Sequence, residues 1–414
     1  MRILWVKPGK LLPLDTGGKL RTYNILRHLA ASHDLTYLSY YNGKRDEPYD
    51  TEIQKELPGT ISVAAGKDPP KGARRHLDYV LHLSSAAPYA VSQFVDPQVQ
   101  KLLSEWIPQR RFDVAVCDFL SSTLNFPDRL ETPTALFQHN VESILWKRKA
   151  EVEPTWMERS VFRFEYSKMR RFEPKQTRRF HHVIAVSEAD RQAMSSMVDL
   201  SHISVVPTGV DLSKYQYDPD ARPSAPLIVF TGSMDWQPNI DGVEFFCKEI
   251  WPSVLAKVPK ARFRIVGRDP HPRVRDLASS SVEVTGSVPS VVEHLREAAA
   301  FVVPLRIGGG TRIKIYEGMA MGKATVSTTI GAEGLDVEHG RDIILEDAPA
   351  AFAKAIVALL SNEDMRRNYE AAAAATARRY DWSVITPRFV EVLEKTISAA
   401  QGRFEPAFPI STTG

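Results

Sequence analysis

A glycine-rich turn between an apolar strand and an amphipathic helix is the stretch of this sequence best suited to chemistry. The apolar run 300–303 is followed by Gly308, Gly309 and Gly310, and a helical pattern then starts at Thr311. Glycine has no Cβ atom, so its backbone can turn sharply and approach a ligand closely. Threonine caps a helix well, and the free N–H groups of a first helical turn attract an anion. The pattern therefore predicts an anion site at the start of this helix.

Two cations, Arg312 and Lys314, lie in the predicted first turn, where the helix dipole disfavours positive charge. Charges placed against the dipole indicate an anionic ligand, and a phosphate or diphosphate is the natural candidate. Glu317, one turn further on, is suited to accept hydrogen bonds from sugar hydroxyls. We expect both cations to be exposed, because they lie at a helix start. A purely structural turn, with Glu317 paired to Lys314 at i, i+3, is the alternative.

The composition is that of an ordinary globular protein, and the length predicts two domains. The chain has 414 residues, of which 43% are hydrophobic and 25% charged, and its formal net charge is +3. That small charge gives no indication of a nucleic-acid partner. The two cysteines, Cys117 and Cys247, argue for a reducing compartment and against a cysteine-based metal site. No leader is recognisable and no apolar run reaches the roughly 18 residues needed to span a bilayer, so we expect a cytoplasmic protein.

Short apolar runs alternate with helical patterns along the chain, which is typical of parallel sheets built from βαβ units. The segment 217–226 interrupts this alternation with three prolines and predicts a linker. The predicted order is an N-terminal Rossmann-like domain, the linker, a C-terminal Rossmann-like domain, a helix packing back toward the first domain, and a poorly ordered tail (1–216, 217–226, 227–381, 382–400 and 401–414). The predicted strands are 3–6, 35–39, 114–117, 134–137, 183–186, 203–206, 227–230, 263–266, 282–284, 301–303, 324–327 and 343–345.

Ligands of such folds bind outside the carboxyl ends of the parallel strands, in a cleft between the two domains. The glycine turn at 308–310 follows a predicted strand and is expected to line that cleft. A second pair, Gly17 and Gly18, lies between the first strand and the first helix and is expected to face it from the other domain. Two glycine turns aimed at one cleft indicate a ligand site more strongly than either turn alone.

Three further candidate site positions follow predicted strands. His139 follows the strand 134–137 and can contact a substrate there, although a loop histidine held by local hydrogen bonds fits the sequence equally well. Gly232 and Ser233 follow the first strand of the second domain and can reach the same cleft. An ordinary βα turn is the simpler interpretation of that pair.

The segment 147–179 combines basic and aromatic residues. It holds eleven lysines and arginines against five glutamates, with tryptophan, phenylalanine, methionine and valine interleaved. This composition fits a membrane-surface patch that recognises anionic lipid. A solvated helix with its aromatic side chains turned into the core is the simpler interpretation.

Taken together, these motifs resemble the retaining GT-B glycosyltransferases of the group 1, family 4 superfamily. The resemblance covers most of the chain, and the order and spacing of the motifs make it specific. The motifs that carry it are 15–18, 139–142, 186–190, 206–211, 266–268, 304–322 and 331–334.

The resemblance implies an α/β protein with a GT-B fold, in which two Rossmann-like, doubly wound domains face a central cleft. It implies a metal-independent enzyme without a cofactor, which moves a sugar from a nucleoside diphosphate sugar to a glycan or lipid-linked acceptor with retention of configuration. Assembly of surface polysaccharide or glycoconjugate, in the cytoplasm or at the inner face of the membrane, is the family's usual setting.

The resemblance also implies roles for individual residues. His139 would support the reacting sugar through a hydrogen bond, and Arg312 and Lys314 would stabilise the leaving diphosphate. Glu317 would hold the donor ribose. The remaining donor-binding positions would be Gly17, Gly18, Gly232, Ser233, Arg268, Gly308, Gly309, Gly310 and Thr311.

Two departures from the family pattern bear on the site. The family carries two glutamates eight residues apart, and here Gly309 stands where the first is expected, with Glu317 as the second. The family's arginine and lysine after the first strand of the second domain are also missing, because the segment 232–239 contains no cation. We therefore expect Arg312 and Lys314 to carry the diphosphate, with backbone N–H groups at 308–311 near the donor sugar.

Two other functions fit the same fold. A nucleotide-sugar epimerase would share the diphosphate site but would need ionisable groups for proton transfer, and no second carboxylate motif supplies them. An inactive binding subunit with a GT-B fold would account for the missing first glutamate, since fold does not determine function.

Overall fold

The computed structural model describes residues 1–65, 72–153, 155–307 and 312–404. The predicted positions Gly308, Gly309, Gly310 and Thr311 lie outside the described residues, as does the tail from 405 onward. The chain divides into two compact units. The N-terminal unit comprises Met1–Pro207 with Thr386–Gly414, and the C-terminal unit comprises Thr208–Ile385.

A parallel sheet forms the centre of the N-terminal unit. Over the part of the chain that the structure describes, it has seven strands in the order β3-β2-β1-β4-β5-β6-β7. The order runs outward from β1 in both directions, as in doubly wound folds. The strands are β1 (Arg2–Pro8), β2 (Asp34–Tyr41), β3 (Thr60–Ala64), β4 (Val114–Asp118), β5 (Thr134–Phe137), β6 (His182–Ala185) and β7 (Ile203–Val205).

Helices connect these strands and cover the sheet. The strands β4 and β5 are buried along their whole length, as expected for a parallel sheet covered on both faces. The connecting helices are α1 (Gly17–Ala30), α2 (Glu47–Glu56), α3 (Ala73–Leu81), α4 (Tyr89–Ser92), α5 (Pro97–Trp106), α6 (Glu142–Val152), α7 (Trp156–Arg179) and α8 (Glu188–Met194).

The C-terminal unit has a second parallel sheet. Within the described ranges it has six strands in the order β10-β9-β8-β11-β12-β13. They are β8 (Leu227–Thr231), β9 (Arg262–Val266), β10 (Val282–Gly286), β11 (Ala300–Val303), β12 (Thr325–Ser327) and β13 (Ile344–Leu345). The helices are α9 (Gln237–Phe245), α10 (Trp251–Lys257), α11 (Pro272–Arg275), α12 (Val291–Glu297), α13 (Ile313–Ala320), α14 (Pro349–Ser361) and α15 (Glu363–Arg378).

The last helix, α16 (Trp382–Phe404), carries the chain from one unit to the other. From Thr386 onward it belongs to the N-terminal unit. The division between the units thus differs from the predicted boundary at 216, because the C-terminal unit starts at Thr208. The predicted linker also belongs to that unit, where Arg367 donates a hydrogen bond to the carbonyl of Pro219 (2.8 Å).

No helix within the described ranges is both long and apolar enough to cross a membrane.

Candidate functional site

The loop after β8 meets the start of α13 in the C-terminal unit. A Cβ atom placed on Gly232 would lie 2.6 Å from Nδ2 of Asn239 and 2.7 Å from Nζ of Lys314. A side chain at 232 would displace the ends of the Asn239 and Lys314 side chains, so glycine at this position permits the close approach of Lys314. The predicted site residues Gly232 and Lys314 are therefore brought together, although they are far apart in the sequence.

Lys314 is a half-buried cation whose hydrogen-bond partner is neutral. Its ammonium donates to Oδ1 of Asn239 (3.0 Å) and lies 4.2 Å from the centre of the Phe230 ring. Burial, together with the nearby charge of Arg312, lowers the pKa of Lys314 to about 7. A bound anion would favour the charged form, so the site is suited to take up a negatively charged group.

Arg312 lies at the N-cap of α13 and only 4% of its surface is exposed. Its guanidinium carbon lies 5.6 Å from the centre of the Trp236 ring, within range of a cation–π contact. The expectation of an exposed helix start is wrong for both cations, because α13 begins at Ile313 and the loop after β8 packs over its first turn. Substitution of either residue will consequently act on packing as well as on charge.

Glu317 contacts a tyrosine and not the lysine of the structural alternative. Its Oε1 accepts a hydrogen bond from the hydroxyl of Tyr215 (2.9 Å), and burial raises the pKa of Glu317. The ammonium of Lys314 donates to Asn239 in the loop after β8. The described hydrogen bonds of Lys314 and Glu317 thus go to other residues. Neither bond is the i, i+3 pair of the structural alternative.

The loop after β9 packs closely against the loop after β8 and is hydrogen-bonded to it. The guanidinium of Arg268 donates to Oγ of Ser233 (3.1 Å), and its carbonyl accepts from the backbone N–H of Met234 (2.9 Å). A Cβ atom placed on Gly267 would lie 1.6 Å from the carbonyl oxygen of Gly232. Ser233 and Arg268 therefore meet at the carboxyl ends of two neighbouring strands, where parallel sheets bind their ligands.

A second group of polar residues lies at the carboxyl ends of β4 and β5 in the N-terminal unit. Asp118 is fully buried and accepts hydrogen bonds from Trp5 (3.0 Å), Thr22 (2.7 Å) and Nε2 of His139 (2.6 Å). The guanidinium of Arg21 lies 2.8 Å from Nδ1 of His139. Both ring nitrogens of His139 are thus engaged by protein groups.

These contacts define the charge state of His139. A guanidinium can only donate, so Nδ1 accepts and the proton is on Nε2, facing the Asp118 carboxylate. Burial lowers the pKa of His139 to about 4, although Asp118 opposes this shift. Burial also lowers the pKa of Arg21 to about 10. The imidazole is therefore neutral at pH 7, flanked by one anion and one cation.

Gly17 and Gly18 are the first residues of α1 and lie beside this group. A Cβ atom placed on Gly18 would lie 2.9 Å from the ring of Phe119 and 3.7 Å from Nδ1 of His139. The Phe119 ring stacks on the His139 ring (centres 3.9 Å apart, 12° between planes). The backbone of Phe119 has a φ of 69°. Positive φ is strained for phenylalanine, and such strain concentrates at functional sites.

Sequence reasoning missed Asp118, Arg21 and Asn239. Asp118 ends the strand β4, so the rule that identified His139 at a strand end applies to it as well. Asn239 lies in the segment 232–239, where the family pattern has cations, and an amide carries no charge. Nothing in the sequence indicates that Arg21 is turned inward, because a basic residue in an amphipathic helix is usually exposed.

The two halves of the chain match two family descriptions. Residues 16–214 match Glycosyltransferase Family 4, and residues 225–362 match Glycosyl transferases group 1. Together the two matches cover most of the chain.

Curated relatives match over part of their length. The phosphatidyl-myo-inositol mannosyltransferase of Mycolicibacterium smegmatis is 28% identical over 228 residues, which are 52% of this chain and 58% of that protein. The GDP-mannose:cellobiosyl-diphosphopolyprenol alpha-mannosyltransferase of Xanthomonas oryzae is 27% identical over 224 residues, which are 50% of this chain and 57% of that protein. The matched region thus spans a little more than half the length of these relatives.

Solved structures are similar over nearly the whole chain. HepE of Anabaena, in complex with UDP and glucose, is 15% identical, with a TM-score of 0.65 over 95% of this chain and 100% of HepE. Sucrose-phosphate synthase of Thermosynechococcus elongatus is 13% identical, with a TM-score of 0.69 over 96% of this chain and 99% of that protein. At these identities the likeness shows the fold alone, which is the GT-B fold of two Rossmann-like domains. The chain belongs to the group 1, family 4 glycosyltransferases.

Proposed function

We propose that this chain is a retaining, metal-independent glycosyltransferase that moves a sugar from a nucleoside diphosphate sugar to an acceptor hydroxyl in glycoconjugate assembly. The observation that carries the proposal is the pair of cations, Arg312 and Lys314, held at the start of α13. A protein that draws two cations of one turn away from water, and partners Lys314 with an amide, is prepared for an anionic ligand.

The cations stabilise the leaving group in the proposed reaction. The bond between the anomeric carbon and the diphosphate oxygen breaks, so negative charge grows on the diphosphate as the transition state forms. Arg312 and Lys314 are already ordered, and they interact more strongly with that growing charge than with the ground state. Glu317, oriented by Tyr215, accepts hydrogen bonds from the donor ribose.

The N-terminal unit supplies positioning for the sugar and the acceptor. A neutral His139, with a pKa of about 4 and both nitrogens engaged, is unsuited to protonate a substrate at pH 7. Its role in the proposal is to hold the adjoining backbone in place, because both ring nitrogens bind protein groups and neither is left for the hydrogen bond to the sugar that the resemblance implies. Gly17 and Gly18 permit the backbone at the start of α1 to approach the ligand closely.

The relatives support the choice of donor and acceptor. One is named for GDP-mannose as donor and a diphosphopolyprenol-linked acceptor, one for phosphatidyl-myo-inositol, and HepE was solved with UDP. We propose by analogy a nucleoside diphosphate sugar as donor and a glycan or lipid-linked acceptor. We also propose that the enzyme works in the cytoplasm, where the segment 147–179 contacts the inner face of the membrane.

The test is a screen of nucleoside diphosphate sugars by thermal shift, followed by transfer in the presence of EDTA. A donor at 100 times its dissociation constant should add roughly 2.7 kcal/mol of stability. The product's anomeric configuration, determined by NMR, should equal that of the donor. An inverted product, or activity that EDTA abolishes and Mg²⁺ or Mn²⁺ restores, would contradict the proposed mechanism. Isomerised donor without transfer would identify an epimerase, and binding without turnover would identify an inactive subunit.

A further inference from the structure

The amide of Asn239 joins the loop after β8 to the start of α13. Asn239 lies in the first turn of α9, and only 3% of its surface is exposed. Its Nδ2 donates a hydrogen bond to the carbonyl of Ser233 (2.8 Å), and its Oδ1 accepts one from the ammonium of Lys314 (3.0 Å). A buried side chain therefore connects this loop to a cation that lies 75 positions further along the chain.

The two hydrogen bonds fix the orientation of this amide. The Ser233 carbonyl can only accept, so the NH2 group of Asn239 faces it. The Lys314 ammonium can only donate, so the amide oxygen faces that cation. The backbone N–H of Asn239 also donates to the carbonyl of Trp236 (2.9 Å), which holds the residue at the start of α9. The amide oxygen is therefore kept at one position beside Lys314.

The Lys314 ammonium is surrounded mostly by uncharged groups. Outside its own helix, the groups that face it are the Phe230 ring, the Gly232 backbone and the Asn239 amide. The charged groups of the described residues that act on it are Arg312, at the cap of α13, and Glu317, one turn further along that helix. Over the described ranges, the hydrogen bond of the ammonium goes to Asn239, so a neutral group determines where this cation lies.

An amide suits this position better than a carboxylate or an apolar side chain would. A carboxylate would hold the ammonium equally well, but it would cancel the charge of Lys314 and repel an incoming anion. An apolar side chain would deprive the ammonium and the Ser233 carbonyl of the hydrogen bonds that Asn239 supplies. The amide makes both hydrogen bonds and leaves the positive charge of Lys314 for a ligand.

We propose that Asn239 is a positioning residue for donor binding, whose neutral amide holds the Lys314 ammonium in place for the diphosphate without neutralising it. This inference rests on the proposed function and names the group that sets how Lys314 meets the donor. It also gives a role to the segment 232–239, in which the cations of the family pattern are missing. That segment supplies instead the side chain that holds a cation of α13.

The test compares Asn239→Asp and Asn239→Ala by the pH dependence of kcat/KM for the best donor of the screen. In the unmodified chain kcat/KM should fall as pH rises through about 7, because burial and the charge of Arg312 lower the pKa of Lys314 to about 7 and its charged form is the one that binds an anion. A carboxylate at 239 favours the charged form and should move this fall to higher pH. Alanine removes a hydrogen bond from the charged form and should move the fall to lower pH.

The size of the effect and its control are defined by the same substitution at two places. Asn239→Asp should lower kcat/KM at pH 7 at least about tenfold, because the added anion cancels the charge that the diphosphate meets. Asn362→Asp is the matched control, at the exposed cap of α15, where the side chain accepts from the N–H of Met365 (2.9 Å). Aspartate caps a helix as well as asparagine does, so this variant should change neither kcat/KM nor the pH at which it falls.

A merely structural role for Asn239 gives a different result. Loss of packing would lower kcat/KM and the melting temperature of both variants without moving the pH of the fall. That result, or near-normal kcat/KM in both variants, would overturn the inference. If Lys314→Met impairs transfer while the Asn239 variants do not, the proposed diphosphate site stands and the positioning role fails.

The charge of Lys314 can also be followed without a donor. NMR of the chain labelled with 13C at lysine Cε, with the Lys314 resonance assigned from Lys314→Met, reports its titration directly. Displacement to higher pH in Asn239→Asp and to lower pH in Asn239→Ala supports the inference, and equal titration in all three forms would overturn it. Absence of transfer with every donor would contradict the proposed function alone.

Discussion

At the level of single residues, the proposed diphosphate site depends on Lys314, a cation whose described contacts are neutral. Lys314 contacts an amide and an aromatic ring, and Arg312 lies near the Trp236 ring. Such contacts offset only part of the cost of removing a cation from water, and a diphosphate offsets more. In the proposed function, diphosphate binding relieves the cost that remains for Lys314.

This reasoning predicts opposite effects of Lys314→Met on function and on stability. Loss of a charge-assisted hydrogen bond to the diphosphate should lower kcat/KM by roughly ten- to a hundredfold, with kcat affected as well as KM. The pKa of Lys314 falls from 10.5 to about 7 on folding, so folding disfavours its charged form. Between those values the unfolding free energy rises with pH, and the uncharged methionine should leave the free protein at pH 7 as stable as before, or more so.

Arg312 provides the comparison. Arg312→Ala should lower kcat/KM by a similar roughly ten- to a hundredfold, and Arg312→Lys should recover only part, because a point charge replaces a planar fork. Steady-state kinetics and thermal unfolding measure both quantities. Near-normal turnover of both Arg312→Ala and Lys314→Met would show that the diphosphate binds elsewhere.

At the level of helices and strands, the sequence was informative wherever apolar runs are continuous. The twelve predicted strands are all present, and the central ones, such as β4 and β5, are buried on both faces, which requires uninterrupted apolar residues. The strand β3 was missed; it lies at the edge of its sheet, and three of its five residues are only half-buried. A π-helical turn at Phe246–Ile250 separates α9 from α10, just before Pro252, whose missing N–H cannot continue the α-helical pattern.

For the site, too, the sequence identified residues next to buried strands but not the residues that contact them. Residues at the ends of buried strands, such as His139 and Gly232, could be identified because topology places them at one edge of the sheet. The partners that determine the chemistry of these residues could not be identified from the sequence. Arg21 and Asn239 matter through contacts with residues more than seventy positions away, and no local pattern records such contacts. The glycine turn predicted at 308–311 lies outside the described residues and stays a prediction.

The first residue of α6, Glu142, lies three positions after His139 and makes the stability of the protein depend on pH. Glu173 accepts from the backbone N–H groups of Glu142 (2.8 Å) and Ser143 (3.0 Å), and so satisfies the first turn of α6. Burial and the neighbouring Glu173 raise the pKa of Glu142 from 4.5 to about 7, with Lys149 and Asn140 acting against the shift. The folded protein therefore keeps a proton on Glu142 that the unfolded chain loses.

The sign of this shift predicts the behaviour of Glu142→Gln. Between pH 4.5 and about 7 the folded state binds more protons, so the unfolding free energy of the unmodified protein falls as pH rises. Glutamine does not ionise, and the variant should be more stable than the unmodified chain at pH 8 by roughly 1–3 kcal/mol. Urea unfolding between about pH 5 and pH 8 measures this. Glu151→Gln, at an exposed position of α6, controls for loss of a surface charge, and an equal gain there would contradict the argument.

At the level of the whole molecule, the end of the chain contributes to the core of the N-terminal unit. Phe389 of α16 is fully buried, stacks on Trp5 (centres 5.3 Å apart) and contacts Phe137 edge-on (5.2 Å). The indole N–H of Trp5 donates to Asp118, which in turn holds His139. Phe389, 250 positions beyond His139, thus helps to position it.

Phe389→Ala should accordingly destabilise the N-terminal unit, by about 3–5 kcal/mol, because it leaves a cavity against Trp5 and Phe137. Phe389→Leu should cost less, and Val384→Ala, at an exposed position of the same helix, should cost under about 0.5 kcal/mol. Hydrogen exchange measured by mass spectrometry resolves where stability is lost. Peptides covering β1 and β5 should lose protection, while those covering β11 and β12 in the C-terminal unit should keep theirs. Loss confined to β11 and β12 would show that α16 stabilises the other unit, and would remove the connection from Phe389 to His139.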